Sequence, residues 1–153
     1  VSVEKALKLK NKLIYLDYLR ANLDEIEVLL GLVKMEASGT TQKLNIKDRM
    51  QRLEKFYSEN KHLPEMIISA GKKGVYYLSR NKEKVKLEHF KAPEINSEEI
   101  LETTGAGDAL TAGFVAGIMN KKSIQEAIEL GIKASTLTVK SELTCNPDLS
   151  ELV

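Results

Sequence analysis

Met66-Ile67-Ile68-Ser69-Ala70-Gly71-Lys72-Lys73-Gly74-Val75-Tyr76-Tyr77-Leu78 sets two short apolar runs on either side of a polar turn bounded by glycines. β-Branched, aromatic and aliphatic residues flanked by glycine are strand signals, so residues 66–68 and 75–78 are expected to be strands. A turn as short as 71–74 has no room for a parallel crossover, which makes the two an antiparallel hairpin. Residues 84–90 alternate in character and supply a third strand.

Outward from the hairpin the period changes. Upstream, Ile46, Met50, Leu53 and Tyr57 recur at helical spacing with a charged outer face, and His62-Leu63-Pro64 ends that helix. Residues 36–45 are polar and carry Gly39, the composition of a loop. Asn22-Leu23-Asp24-Glu25 puts a capping residue three positions before a glutamate, ahead of Ile26, Leu29 and Leu30, with Gly31 as the stop. Leu13, Ile14, Tyr15 and Leu16 read as a short buried strand delivering the chain to residues 17–22. Val3, Ala6, Leu7 and Leu9, set among lysines, give a short amphipathic helical pattern that stops near Asn11. Downstream, small and apolar residues dominate 107–119, and Ser123-Ile124-Gln125-Glu126 is a capping box opening a last helix through about residue 139. Helices alternating with short apolar strands specify a mixed α/β layered sheet.

With 153 residues, 42% hydrophobic and 29% charged, the chain has the size of one domain, 1–153, and enough apolar surface for a core. Its 23 Lys and Arg against 22 Asp and Glu leave a net charge of +1, which gives no electrostatic reason to expect a nucleic-acid or membrane-surface partner. One cysteine, Cys145, can form no intramolecular disulfide, and His62 and His89 make no zinc spacing, so a reducing, cytoplasmic compartment is expected. No apolar stretch approaches the ~18 residues of a membrane span, and no targeting leader is expected. The sequence starts at Val1 directly in helix-like residues, which leads to the expectation of a piece of a longer polypeptide.

The chemistry is expected in Leu101-Glu102-Thr103-Thr104-Gly105-Ala106-Gly107-Asp108-Ala109-Leu110-Thr111-Ala112-Gly113-Phe114. Two glycines around an alanine, directly before a helix, let the backbone approach a ligand and aim the first-turn N–H groups at one point. The helix dipole adds about half a positive charge there, enough to favour a phosphoryl group without a lysine. Residues 92–120 contain no Lys or Arg yet hold Glu94, Glu98, Glu99, Glu102 and Asp108. Oriented amides and a divalent metal would then carry the positive charge, leaving Asp108 to accept a proton from an attacking hydroxyl as general base. The plainer account is a structural helix start in which Asp108 only complements the dipole.

Thr103-Thr104-Gly105-Ala106-Gly107-Asp108, followed by Ala109, Gly113 and Phe114, resembles the signature of the ribokinase-like PfkB family of sugar and nucleoside kinases. Two further segments match in the family's order. Asn22-x-x-Glu25 resembles its Asn-x-x-Glu element, linked to magnesium and phosphate, and Ser69-x-Gly71-x-x-Gly74 resembles its nucleotide loop. The resemblance implies a three-layer α/β/α sandwich, present here as its C-terminal, nucleotide-side portion, with the substrate-gripping and lid portion absent. It makes Gly105, Ala106 and Gly107 an anion hole for the γ-phosphate and Asp108 the catalytic base. Ser69, Gly71, Gly74 and Thr104 go to the nucleotide, and Asn22 and Glu25 to the metal. The implied activity is ATP- and Mg2+-dependent phosphorylation of a sugar or nucleoside hydroxyl, with a monovalent cation beside the loop in some members and a homodimer as the assembly.

Within the family, Val1-Ser2-Val3-x-Lys5-Ala6 with Asn22-Leu23-Asp24-Glu25 resembles the pseudouridine kinases first and ribokinase-type enzymes second. Two features depart from the family pattern. The signature usually opens on Asp where this chain has Glu102, and Glu142-Leu143-Thr144-Cys145 replaces a common Gly-Ala pair. Local accounts stay open beside the resemblance: a simple capping box for Asn22 and Glu25, a plain hairpin turn for Gly71 and Gly74, and a catalytically inactive nucleotide-binding or scaffold module for the whole. The Gly-x-Gly-x-x-Gly spacing of dinucleotide enzymes and the P-loop pattern are both missing.

Overall fold

The computed structural model describes residues 8, 9, 12–33, 45–143 and 149. The expected helical pattern over Val3, Ala6 and Leu7, the polar loop over 36–44, and Cys145 lie outside the described residues. The chain divides into two compact units, Val1–Ser69 with Tyr76–Glu88, and Ala70–Val75 with His89–Val153.

The first unit is built on a sheet of order β1-β2-β3-β4, with β1 Tyr18–Asn22, β2 Glu65–Ser69, β3 Val75–Asn81 and β4 Lys84–Phe90. β1 and β2 are parallel, pairing Tyr18 with Glu65 through to Asn22 with Ser69. The expected hairpin follows: β2 reaches its neighbour β3 through a turn at Gly71–Lys73, too short for a crossover. The sheet is therefore mixed.

One expectation fails at the N-terminal side. Residues 13–16 are not a strand: Leu13–Tyr15 is a 3-10 turn, and only Leu13 is buried while Ile14 and Tyr15 are 56% and 75% exposed. The strand begins at Tyr18, where a ladder becomes available, since Glu65 N donates to Asp17 O at 3.1 Å just ahead of the paired register. An apolar run is compatible with a strand, but hydrogen bonding to a neighbour decides it.

Alternation then sorts the sheet's faces. Leu19 and Ala21, Met66 and Ile68, Tyr76 and Leu78, and Val85 and Leu87 belong to one core with helices α1 (Leu23–Leu30) and α2 (Ile46–Glu59). Ile26, Leu53, Met66, Ile68 and Leu78 in it are inaccessible or nearly so, and truncating one such side chain to Ala costs about 2–5 kcal/mol. Both helices start as expected. Asn22 Oδ1 accepts from Glu25 N at 2.8 Å, Glu25 Oε2 accepts from Asn22 N at 3.0 Å, and Gly31 closes α1 in the left-handed region at φ 72°. Not all of the charge on α2 faces out: Arg49 and Arg52 reach Glu27 of α1, whose side chain is 3% exposed. Arg49 also pairs with Asp24, so a buried carboxylate held by two guanidinium groups fixes α1 against α2.

The second unit centres on α3 (Ala106–Met119) and α4 (Ile124–Val139). These pack with backbones almost touching. A Cβ on Gly113 would stand 2.8 Å from Gly131 Cα, one on Gly131 would stand 2.6 Å from Leu110 O, and one on Gly117 would stand 2.7 Å from Ala127 Cα. The opposed numbering, 113 to 131 and 117 to 127, makes the pair antiparallel. Its small-residue seam explains why the sequence of 107–119 is so rich in Gly and Ala. The segment leading into α3 is fastened to the far end of α4, because Leu101 N donates to Val139 O at 2.9 Å and Lys140 Nζ pairs with Glu99 at 2.7 Å. Among the described residues no helix is long and apolar enough to cross a membrane.

Candidate functional site

The start of α3 carries the densest chemistry. Gly105 is its N-cap in the left-handed region, φ 82° and ψ −15°, a conformation that costs an L-residue with a side chain about 1–2 kcal/mol. No side chain caps the helix. The first ladder bond runs from Ala109 N to Gly105 O at 2.8 Å, and Ala106 N leans back to Thr103 O at 3.3 Å. The N–H groups of Gly107 and Asp108 precede the ladder, so an anion set before the helix would meet them together with the dipole's positive end.

The two threonines upstream point their donors elsewhere. Thr103 N, Thr104 N and Thr104 Oγ1 all donate to Glu102 Oε1, at 2.8, 2.9 and 2.8 Å. The N–H and hydroxyl of Thr104, followed by the N–H of Thr103, hold the Glu102 carboxyl below the usual glutamate range. The longer side chain at this departure from the family pattern thus folds back to brace its own turn. Thr104, expected to contact a nucleotide, has its amide and hydroxyl engaged by Glu102.

Asp108 is exposed on the first turn of α3 and makes no hydrogen bond or ion pair among the described residues. It lies at one end of a shallow groove along the helix that continues over Thr111, Ala112, Val115, Ala116 and Met119. A carboxylate free of internal partners can accept a proton from a hydroxyl brought to it.

The Gly71–Lys73 turn also belongs to the second unit, and its two glycines have different duties. Gly74, at φ 94°, is required by packing: a Cβ there would stand 2.1 Å from Phe90 O and 2.6 Å from Ala92 N. Gly71, at φ 54°, faces open space, with nothing within 4 Å of a Cβ. Only Gly71 leaves room beside the backbone for a ligand.

In the first unit, parallel register sets Asn22 beside Ser69 at the carboxyl ends of β1 and β2, the edge where open α/β sheets take their ligands. Arg20 Nη2 donates to Ser69 Oγ at 3.2 Å. Sequence reading missed this cation, whose only signal was its position two residues before Asn22 on the same strand face. Asn22 and Glu25 are the capping box already described, so the local account of that pair holds in full. Among the described residues no three His, Cys, Asp or Glu side chains gather into a metal cluster. Magnesium usually keeps several waters and takes one or two carboxylates plus phosphate oxygens, a demand that a single glutamate such as Glu25 fits. A terminal phosphate likewise fits the open amides at α3 and the uncovered backbone at Gly71.

The family model described as pfkB family carbohydrate kinase matches residues 2–151. The pseudouridine kinase of Escherichia coli (strain K12) is 27% identical over 150 residues, which are 98% of this chain and 42% of that protein. The ribokinase of Cryptococcus neoformans var. grubii serotype A superposes with a TM-score of 0.72 at 22% identity, covering 99% of this chain and 48% of that one. For the ribokinase of Thermotoga maritima the values are 0.64, 26%, 94% and 43%. The chain thus spans less than half the length of these relatives, and its fold is ribokinase-like. A match running through nearly every residue, with the uncapped α3 start inside it, establishes that the chain belongs to the pfkB family of carbohydrate kinases.

Proposed function

We propose that this chain is the nucleotide-side portion of an ATP-dependent phosphotransferase acting on a hydroxyl of a sugar or nucleoside. The observation that carries the reading is the start of α3: an open helix N-terminus in the left-handed Gly105 conformation, followed within one turn by the unpartnered carboxylate of Asp108. The resemblance assigns the amides of Gly105, Ala106 and Gly107 to the γ-phosphoryl group and Asp108 to the acceptor. The acceptor oxygen forms its bond to the γ-phosphorus as the bond to the β-phosphate oxygen breaks. The proton passes to Asp108 and ADP departs. Amides fixed before the reaction stabilise the charge that builds on the transferring group without reorganising. Ser69 and Gly71 serve the nucleotide, Gly74 serves it by shaping the turn, and the Thr104 contact requires its hydroxyl to exchange Glu102 for the ligand.

Asn22 and Glu25 would hold magnesium, which supplies charge neutralisation of the phosphates. The nucleotide reading is supported by the ribokinase of Cryptococcus neoformans, whose structure is a complex with ADP. A pseudouridine-type nucleoside is the first choice of acceptor, supported by 27% identity to a pseudouridine kinase over 98% of the chain, and a ribose-type sugar is the second. A single cysteine in the sequence supports a cytoplasmic setting.

Asp108→Asn in the full-length protein tests the role directly. Turnover is expected to fall by about two to four decades with nucleotide affinity nearly intact, and an unchanged rate overturns the assignment. A second reading, a nucleotide-binding or scaffold module without turnover, is favoured by one observation: the chain spans only 42% of the pseudouridine kinase. Calorimetry with MgATP, alongside a phosphoryl-transfer assay, separates the two when both are run on the full-length protein that carries the substrate-gripping portion. Binding without transfer supports the module, and transfer excludes it.

A further inference from the structure

We infer that His89 is a positioning residue for the nucleotide turn, an inference that rests on the reading of residues 69–74 as nucleotide-binding. Its ring Nε2 lies 2.6 Å from Lys73 O. A carbonyl oxygen only accepts, so the ring donates from Nε2, which fixes the protonation of that nitrogen. The bond holds one end of the Lys73–Gly74 peptide. The other end is held as well, because Gly74 N donates to Gly71 O at 2.9 Å. The same peptide enters Gly74 at φ 94° and ψ −141°, values available essentially to glycine, and a peptide next to glycine is the one most easily flipped. Clamping its carbonyl from a side chain removes that freedom.

Packing from the same strand end reinforces the clamp. Gly74 sits so close to the exit of β4 that an added Cβ would meet Phe90 O and Ala92 N, at 2.1 and 2.6 Å. Residues 89–92 therefore form the bed of the turn: the backbone presses on Gly74, and the His89 ring reaches Lys73. The open face at Gly71 is left for the ligand, with the turn's shape set from behind. Nothing in the motif spacing announces this residue, since His89 lies fifteen positions beyond Gly74 and outside the three matched segments.

The expected result is that His89→Ala raises the KM for ATP about three- to tenfold, the effect of losing one hydrogen bond, and leaves kcat unchanged. His89→Gln, whose side-chain amide can donate to the same carbonyl, restores it. Nitrogen-15 NMR of the wild-type ring gives a readout without nucleotide: an Nε2–H ring with coupling to the Lys73 carbonyl is expected. An Nδ1–H ring, an unaltered KM in His89→Ala, or failure of His89→Gln to rescue overturns this proposal alone. Wild-type protein that binds no MgADP overturns the nucleotide reading, and the proposal with it.

Discussion

The N-termini of α3 and α4 belong to one helix pair, packed glycine against glycine, and they are built in opposite ways. At α4, Ser123 Oγ accepts from Glu126 N at 3.3 Å, and Glu126 Oε2 accepts from Ser123 N and Oγ at 2.8 and 2.7 Å. The helix closes its own end. At α3 the N-cap is Gly105, which has no side chain to offer, and the nearest carboxylate upstream, Glu102, spends itself on Thr103 and Thr104. α1 and α2 follow α4, with Asn22 and Asn45 as side-chain caps. A glycine cap forgoes a few tenths of a kcal/mol relative to a polar one, so the exception at α3 is cheap in stability. What it leaves is the N–H groups of Gly107 and Asp108, oriented ahead of the ladder with no side-chain cap, the precondition for binding an anion.

The sharpest way to break this comparison is to delete one amide from each helix. Gly107 and Gln125 occupy the same second position of the first turn in α3 and α4, and proline is tolerated in a first turn because the N–H it removes has no ladder partner. Gly107→Pro is expected to lower turnover by about 10²–10³, the typical cost of losing one preorganised donor to a developing negative charge. Gln125→Pro is expected to leave turnover unchanged. Equal losses in the two variants, measured at saturating nucleotide, would mean that the start of α3 matters for folding rather than for an anion.

A smaller contrast separates a cap that only caps from one read as doing more. Asn22→Ala and Ser123→Ala each remove an N-cap oxygen and are each expected to cost about 1 kcal/mol by chemical denaturation. They should part on ligand binding. Asn22→Ala is expected to weaken the affinity for magnesium nucleotide, while Ser123→Ala leaves it intact. Matching affinities in the two variants would return Asn22 and Glu25 to a purely local role.

What the sequence made legible follows the range of the interactions. The boxes at Asn22 and Ser123 and the stop at Gly31 are settled within four residues, and each is found where the spacing placed it. The 71–74 turn was legible because its length excludes a crossover. The strand expected at 13–16 failed because β1 is defined by pairing Tyr18 with Glu65, a partner no local pattern reveals. Arg49 and Arg52 looked like solvated face and instead reach Glu27, 22 and 25 positions away. In the candidate site the motif located the turn and the α3 start, but could not tell the packed Gly74 from the open Gly71. Nor could it show that Thr104 is engaged by Glu102, since both depend on what surrounds the backbone.

The smallest expected effect compares the carboxylates at the same two helix ends. Glu102 is held below the ordinary glutamate range by the N–H and hydroxyl of Thr104 and the N–H of Thr103, and Glu126 by the hydroxyl and N–H of Ser123. For a carboxylate whose folded-state value is depressed, the linked stability is present above the unfolded value of about 4.3 and is lost as pH falls through the folded one. Both braces should therefore survive at neutral pH and release only in acid. The consequences differ. Protonating Glu126 loosens the first turn of a helix that α3 still packs against, whereas protonating Glu102 frees the donors of Thr103 and Thr104 immediately before Gly105. Amide chemical shifts followed by NMR during an acid titration are expected to move together at Thr103 and Thr104, with a midpoint below the ordinary glutamate value. A midpoint at or above that value would show that Glu102 does not brace the turn, and would leave the hydroxyl of Thr104 available to a nucleotide without any exchange of partners.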